Sequence, residues 1–90
     1  MLFVATLKSR GQSPKETIAR RMNWQYPEGV KVIGEYWPQT AASTVVSIFE
    51  ADSIEQIMPI TVDWGDAFEI NISPAIRAEE GMALAKKMMG

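Results

Sequence analysis

The sequence of 90 residues contains neither cysteine nor histidine. These two absences exclude disulfides, thiol nucleophiles and zinc–thiolate sites, and they remove the side chain most often used for proton transfer and haem binding. Nine basic residues against 11 acidic ones give a net charge of −2, which argues against nucleic acid or an anionic membrane as a partner. We therefore expect a single domain over residues 1–90, with no metal and no cofactor.

The chain shows no pattern of a targeting or membrane-spanning segment. Its apolar N-terminal stretch is too short for a signal peptide, and no basic residues precede it. No apolar stretch approaches the roughly 18 residues that a membrane-spanning helix needs. We therefore expect a cytoplasmic protein. The basic pairs Arg20 and Arg21, and Lys86 and Lys87, are interpreted as solvated helix faces.

A strand and a helix are predicted first. Residues 2–8 are apolar and rich in β-forming side chains, which predicts a strand. Ser13 precedes a proline and lies three positions before a glutamate, which is the spacing of a capping box at a helix start. We expect this helix to run to about Trp24, with Ile18 and Met22 buried.

Two strands and a second helix follow. Residues 30–37 predict the second strand, which a proline ends, and residues 44–50 predict the third. Ser53 resembles another helix N-cap, and Ile54, Ile57 and Met58 are expected to form the buried face of the helix after it. Pro59 leaves two alternatives, a short helix that ends there or a kinked helix that continues toward Asp63. We favour the second.

The last strand and helix have the clearest patterns. Residues 67–73 alternate, with Phe68, Ile70 and Ile72 on one face, and Pro74 is expected to end the strand. Residues 78–89 predict a closing helix, acidic at its start and basic at its end as the helix dipole favours.

The order β-α-β-β-α-β predicts a ferredoxin-like α+β sandwich with a four-stranded antiparallel sheet in the order 4-1-3-2 and an added C-terminal helix. The helices cover one face of such a sheet. Alternation assigns the following residues to that covered face: Val30, Val32, Gly34, Tyr36, Val46, Ile48, Phe68, Ile70 and Ile72. It assigns these to the opposite, open face: Lys31, Ile33, Glu35, Trp37, Val45, Ser47, Phe49, Glu69, Asn71 and Ser73.

A bare sheet face predicts a homodimer. Ile33, Trp37, Val45 and Phe49 would form one apolar patch there, which a monomer rarely exposes. A second copy of the chain is therefore the expected partner, with further contacts from the methionines at the end of the closing helix.

Four segments resemble a known family. They are Pro27-Glu28-Gly29-Val30, Phe49-Glu50-Ala51-Asp52, Trp64-Gly65-Asp66 and the strand from Phe68 to Pro74. Through them nearly the whole chain resembles a small uncharacterised family of bacteria and archaea, a domain of unknown function within the dimeric α+β barrel group. The resemblance implies a ferredoxin-like protomer that pairs through its open sheet face. It assigns no catalytic residue.

A ligand site, if present, is expected where aromatic and ionisable side chains converge. The candidates are Tyr36 and Trp37 at the end of the second strand, Trp64, and a carboxylate from Glu35, Asp66 or Glu69. The alternative is structural, because Trp64 could close one end of the core while the carboxylates stay solvated.

Three functions remain open from the sequence. The first is a non-catalytic homodimer that binds a small molecule or a partner. The second is a cofactor-independent enzyme of the monooxygenase or isomerase type, which would need a carboxylate or tyrosine of strongly shifted pKa facing a cavity. The third is a metal-responsive module that uses Asp63 and Asp66, although those residues also suit a simple turn in which Gly65 has positive φ.

Overall fold

A computed structural model describes residues 1–41 and 43–90. Strands and helices follow one another along the chain in the predicted order, and together they form an α+β fold of one sheet and three helices. The elements are β1 (Leu2–Ser9), α1 (Pro14–Met22), β2 (Lys31–Tyr36), β3 (Thr44–Glu50), α2 (Ile54–Trp64), β4 (Phe68–Ala75) and α3 (Ala78–Met88).

The four strands form one antiparallel sheet in the order β2-β3-β1-β4, which is β4-β1-β3-β2 when counted from the other edge. β1 pairs with β3 on one side and with β4 on the other. Pro74 does not end β4, which continues to Ala75. An edge strand tolerates a proline because one of its sides has no strand partner.

The core lies between the sheet and α2. Phe3, Ala5 and Leu7 of β1 face this side, and the register places Phe49 beside Phe3 and Ser47 beside Ala5. The rings of Phe3 and Phe49 stack with centroids 5.9 Å apart, and Phe49 is fully buried at 0% exposure. The remaining core residues are Ala51, Ile57, Ile60, Trp64, Ala67 and Phe68.

The predicted faces of β3 are therefore wrong. Ser47 and Phe49 lie on the covered face, while Val46 and Ile48 lie on the open face. The sequence of β3 is apolar at both alternations, so its own period does not distinguish the two faces. The orientation of β3 follows from its pairing with β1. The second half of β1 alternates, with Leu7 buried and Thr6 and Lys8 exposed on the open side, so β1 has a defined covered face.

The predicted faces of β2 are wrong from Gly34 onward because β2 contains a bulge. Its register with β3 shifts between Val32 and Gly34, so one extra residue, Ile33, enters the strand. Val32 and Glu35 consequently both face the helices, whereas Gly34 and Tyr36 turn to the open face. The bulge thus turns a glutamate toward the core.

The helices pack less deeply than predicted. No residue of α1 is buried, and Met22 is 79% exposed. The side chain of Ser13 makes no capping bond. α2 continues through Pro59 to Trp64, as favoured from the sequence, but its buried residues are spaced by three and four positions from Ile57 onward. Ile54 and Met58 are exposed, contrary to the prediction.

α3 stands away from the rest of the protein. None of its residues is buried, and Met82, Leu84 and Met88 are all mostly exposed. The radius of gyration is 15.2 Å, against roughly 12 Å for a compact domain of this length. One apolar side of α3 therefore has no packing partner among residues 1–41 and 43–90 of the protomer.

Candidate functional site

A cavity of about 260 Å³ lies between α1 and the covered face of the sheet. This volume is just below the range of ~300–1,000 Å³ that is typical of ligand pockets. Its inner wall consists of the less exposed lining residues, which are Ala5, Leu7, Ser9, Thr17, Arg21, Trp24, Tyr26, Glu35, Thr44, Val45, Ser47, Phe49, Ile60, Trp64 and Phe68. The exposed residues around its opening include Gln12, Pro14, Ile18, Trp37, Pro38, Gln39, Thr40 and Ser43.

Glu35 is the centre of a polar network on the cavity wall. Arg21 donates from Nε and Nη2 to both carboxylate oxygens at 3.1–3.3 Å. Trp37 donates its indole N–H to Oε2 at 2.7 Å, and the Tyr26 hydroxyl donates to Oε1. The β2 bulge makes this arrangement possible, because without it Glu35 would lie on the open face.

Tyr26 links Glu35 to Ser47. The two hydroxyl oxygens are 2.8 Å apart, and since the Tyr26 proton is directed to Glu35, the Ser47 hydroxyl is the donor in this second bond. Burial, together with the hydrogen bond to Glu35, raises the pKa of Tyr26 to about 12. Tyr26 therefore stays protonated at neutral pH and acts as a fixed hydrogen-bond donor, not as a base.

Glu35 is held ionised. Burial alone would raise the pKa of its carboxyl, but the hydrogen bonds from Arg21 and the two aromatic side chains outweigh burial and hold that pKa below its ordinary value. The donors to Glu35 are the side chains of Arg21, Tyr26 and Trp37. A carboxylate in this state is a poor general acid, and its main effect is to orient Arg21, Tyr26 and Trp37.

A second polar cluster fixes α1 to the end of α2. Arg20 forms a bidentate pair with Asp66, with both N···O distances at 3.0 Å, and it also donates to the carbonyl of Asp63. The Arg20 guanidinium lies over the ring of Trp64, 4.6 Å from its centroid. Trp24 donates its indole N–H to the Asp63 carboxylate at 2.9 Å. These contacts fix α1, which lines one side of the cavity, to the C-terminal end of α2.

Three of the six proposed site residues line this cavity: Glu35, Trp37 and Trp64. Tyr36 lies on the open face and is 59% exposed. Glu69 is opposite Lys8 on the same open face. Asp66 lies outside the cavity wall, where its carboxylate binds Arg20.

Arg21 and Ser47 line the cavity but are not among the site residues predicted from the sequence. Arg21 belongs to a basic pair interpreted as a solvated helix face, yet both arginines of that pair bind carboxylates. Ser47 is only 3% exposed and was assigned to the open face. A signal for Ser47 existed, since a single serine in an otherwise apolar strand needs a hydrogen-bond partner if it is buried.

The loop after α2 differs from the predicted turn. Gly65 has φ of −63°, not a positive value. Glycine is needed there for a different reason, because a Cβ at this position would come within 2.6 Å of the Thr61 carbonyl oxygen. The Asp63 and Asp66 carboxylates each have a protein partner, and the described residues contain no group of three acidic side chains that could hold a metal ion.

Comparison with known protein families gives a match over nearly the whole chain. A family model described as a domain of unknown function, DUF3303, matches residues 1–89, so the chain belongs to that family. Neither the curated proteins nor the solved structures contain a significant match to this chain. Among the described residues, no helix has the length and apolar character needed to cross a bilayer.

Proposed function

We propose that this family member is a small cytoplasmic homodimer that binds a small molecule in the cavity under α1 without transforming it. The observation that carries this proposal is the cavity itself, which is walled by Trp24, Trp37 and Trp64 together with the aliphatic side chains of β1. Flat aromatic walls give a bound molecule a large apolar contact area and can stack on its rings.

The state of the polar groups favours binding over the alternative of a cofactor-independent enzyme. An enzyme of that kind needs a group able to take up or release a proton in the cavity. Tyr26 has the shifted pKa that marks a candidate, but the shift is upward and its proton is already donated to Glu35. Glu35 is ionised and accepts from three side chains. Tyr26 and Glu35 therefore serve to hold the side chains of the cavity wall in position.

Binding in this cavity can be tested by filling it. Thr17 lines the cavity from α1, whereas Ala19 lies on the same helix, exposed and outside the lining. A metabolite library is screened by thermal shift and tryptophan fluorescence against the wild type, Thr17→Trp and Ala19→Trp. We expect hits that are lost in Thr17→Trp and kept in the matched Ala19→Trp control. A screen without hits, or with hits that Thr17→Trp retains, would refute a ligand in this cavity.

The proposed dimer is of the ferredoxin-like, dimeric α+β barrel type and uses the open face of the sheet. With the faces corrected, the apolar residues of that face include Val4, Val46, Ile48 and Tyr36. They form a continuous band, since Val4 is paired with Ile48 and Val46 with Tyr36. This band replaces the patch of Ile33, Trp37, Val45 and Phe49 expected from the sequence, of which Phe49 is in the core.

α3 supplies a second surface for a partner copy. Ala78, Met82, Ala85 and Met89 are spaced by four, three and four positions, which is the spacing of a coiled-coil seam. All four are exposed in the protomer. The first turn of α3 is acidic and the last is basic, so two copies of the helix packed antiparallel would place each acidic end against the partner's basic end. This self-complementary charge favours a second copy of the chain as the occupant.

Sedimentation equilibrium at micromolar concentration tests the dimer. We expect a species of twice the 10.0 kDa protomer mass. Tyr36→Glu, which places a charge in the open-face band, should shift the equilibrium toward the monomer, whereas Glu28→Gln in the loop before β2 should not. A wild-type protein that remains a 10.0 kDa species would refute the dimer.

A further inference from the structure

The charges on the cavity wall cancel. Among the described residues of the lining, only Arg21 and Glu35 carry a charge at neutral pH, and they are paired with each other. Their side chains are 32% and 14% exposed, so the pair is largely removed from water. A charged ligand placed beside this pair would lose its own hydration without gaining a free counter-charge.

The polar groups of the Glu35 network on the cavity wall are also satisfied within the protein. Tyr26 donates to Glu35 and accepts from Ser47, and Trp37 donates to the same carboxylate. Across the part of the chain that the structure describes, no buried side-chain nitrogen or oxygen lacks a hydrogen-bond partner. The inner wall therefore offers a ligand mainly apolar contact from rings and aliphatic groups.

The opening of the cavity has a different character. Gln12, Gln39, Thr40 and Ser43 are exposed there, and all four side chains are polar and uncharged. Amide and hydroxyl groups both donate and accept hydrogen bonds, so they suit an uncharged polar group on a ligand as well as they suit water. The cavity is thus apolar inside and neutral-polar at its mouth.

We propose that the ligand is an uncharged molecule with a flat, largely apolar body that enters the cavity and an uncharged hydrogen-bonding group that stays at the mouth. The inference rests on the proposed function, because it assigns a chemical class to the ligand of the same cavity. The paired Arg21 and Glu35 exclude charged compounds of the same shape, since either charge would compete with the existing pair.

Three probes with one ring system test this class. 2-Naphthamide is uncharged, 2-naphthoate is an anion and 2-naphthylmethylammonium is a cation, and all three carry the same flat body. Each is titrated into the wild-type protein at neutral pH, and binding is followed by NMR at the indole N–H signals of Trp24, Trp37 and Trp64. We expect the amide to bind at least about tenfold more tightly than either ion, because an ion is desolvated without a partner.

The outcomes separate this inference from the proposed function. Binding of the anion or the cation as tight as that of the amide would overturn the inference, and so would failure of all three, because the flat apolar body is part of it. In either case the metabolite screen with Thr17→Trp and Ala19→Trp still decides whether the cavity binds a ligand. Tighter amide binding that Thr17→Trp abolishes and Ala19→Trp preserves would support both.

Discussion

At the scale of single residues, the Glu35 carboxylate is the acceptor on which Arg21, Tyr26 and Trp37 all depend. Glu35→Gln keeps the shape of the side chain but removes its charge and turns one acceptor oxygen into a donor. The three donors, which now share two oxygens, would then have only one acceptor oxygen between them. We expect the free energy of unfolding at pH 7 to fall by ~1–3 kcal/mol, measured by urea denaturation.

Glu28→Gln is the matched control for this substitution. Glu28 is exposed in the loop before β2, so the same change should alter stability by less than ~0.5 kcal/mol. An equal effect of the two substitutions would contradict a specific role of Glu35 in the network.

The pKa of Glu35 gives this contribution a pH dependence of known sign. Because the folded protein holds the pKa of Glu35 below its ordinary value of 4.5, the folded state favours the ionised form. The resulting stability is fully present above that ordinary pKa and is lost as the pH falls through the lower pKa of the folded state.

The stability difference between wild type and Glu35→Gln should therefore be constant from pH 7 to about pH 5 and should shrink below the ordinary pKa of 4.5. Urea denaturation of both proteins in steps of pH measures it. A difference that stays the same at the lowest pH at which both proteins fold would show that the charge of Glu35 is not what stabilises the network.

At the residue scale, the sequence points to places where large aromatics and ionisable groups converge. Of the six residues proposed on that ground, the structure places Glu35, Trp37 and Trp64 in the lining of one cavity, and their role as a site stays a prediction. Arg21 could not be found in the same way. A basic residue on a helix is usually solvated, and only the tertiary position of Glu35 shows that Arg21 has a buried partner.

At the scale of elements, the accuracy of each strand assignment depended on its pattern. β4 alternates between apolar and polar residues, and Phe68, its most buried member, lies on the predicted face. β3 is apolar on both sides, so its orientation follows from pairing with β1 and not from its own sequence. In β2 the single glycine, Gly34, was a usable signal, because an isolated glycine in a strand often marks a bulge.

α1 is held against the rest of the protein mainly by polar contacts, so the loss of one of these contacts should loosen it. Asp66 binds both terminal nitrogens of Arg20, and none of the residues of α1 is buried. Asp66→Asn removes this charge pair, so we expect several-fold faster amide hydrogen exchange across residues 14–22, with little change in α2. Hydrogen-exchange mass spectrometry with separate peptides for the two helices measures the difference.

Asp52→Asn serves as the control for the loosening of α1. Asp52 is exposed before α2 and its carboxylate forms no ion pair with the described residues, so the exchange of α1 should match the wild type. Equal exchange of α1 in the two variants would contradict the role given to the pair of Arg20 and Asp66.

Trp64→Ala should have a different effect from Asp66→Asn, because Trp64 belongs to the core. It is 4% exposed and packs edge-on against Phe68 and Trp24, with ring centroids 5.7 Å away in both cases. We expect a loss of ~3–5 kcal/mol in the free energy of unfolding, measured by urea denaturation. A loss below ~1 kcal/mol would mean that Trp64 is a removable part of the cavity wall and not a structural support.

At the scale of the whole molecule, contacts within the protomer do not account for the apolar side of α3. The helix extends a protein that measures 52 × 30 × 17 Å, and its seam residues Met82 and Met89 are largely exposed. A helix of this length gains most of its stability from packing of one face and little from intrinsic propensity. A partner that covers this seam would account for both its apolar pattern and its position.

The charge pattern of α3 allows the antiparallel pairing to be tested with two complementary variants. Lys86→Glu with Lys87→Glu makes the helix acidic at both ends, and Glu79→Lys with Glu80→Lys makes it basic at both ends. Each variant alone places like charges against each other across the two-fold. We expect each dimer to dissociate about tenfold more readily than the wild type, since exposed ion pairs contribute ~0.2–1 kcal/mol each and the two-fold repeats every pair.

Mixing the two variants should restore association, because an acidic α3 then faces a basic one. Sedimentation equilibrium of each variant and of the equimolar mixture measures this, and the restored affinity should weaken at high salt, where exposed charges are screened. The mixture also controls for the effect of each substitution on the helix dipole. Each chain carries the same substitutions in the mixture as alone, so a difference in association comes from the charges of the partner helix. If both variants alone associate as well as the wild type, or if the mixture associates no better than either one, the two α3 helices do not pair antiparallel, and the open face of the sheet must account for any dimer.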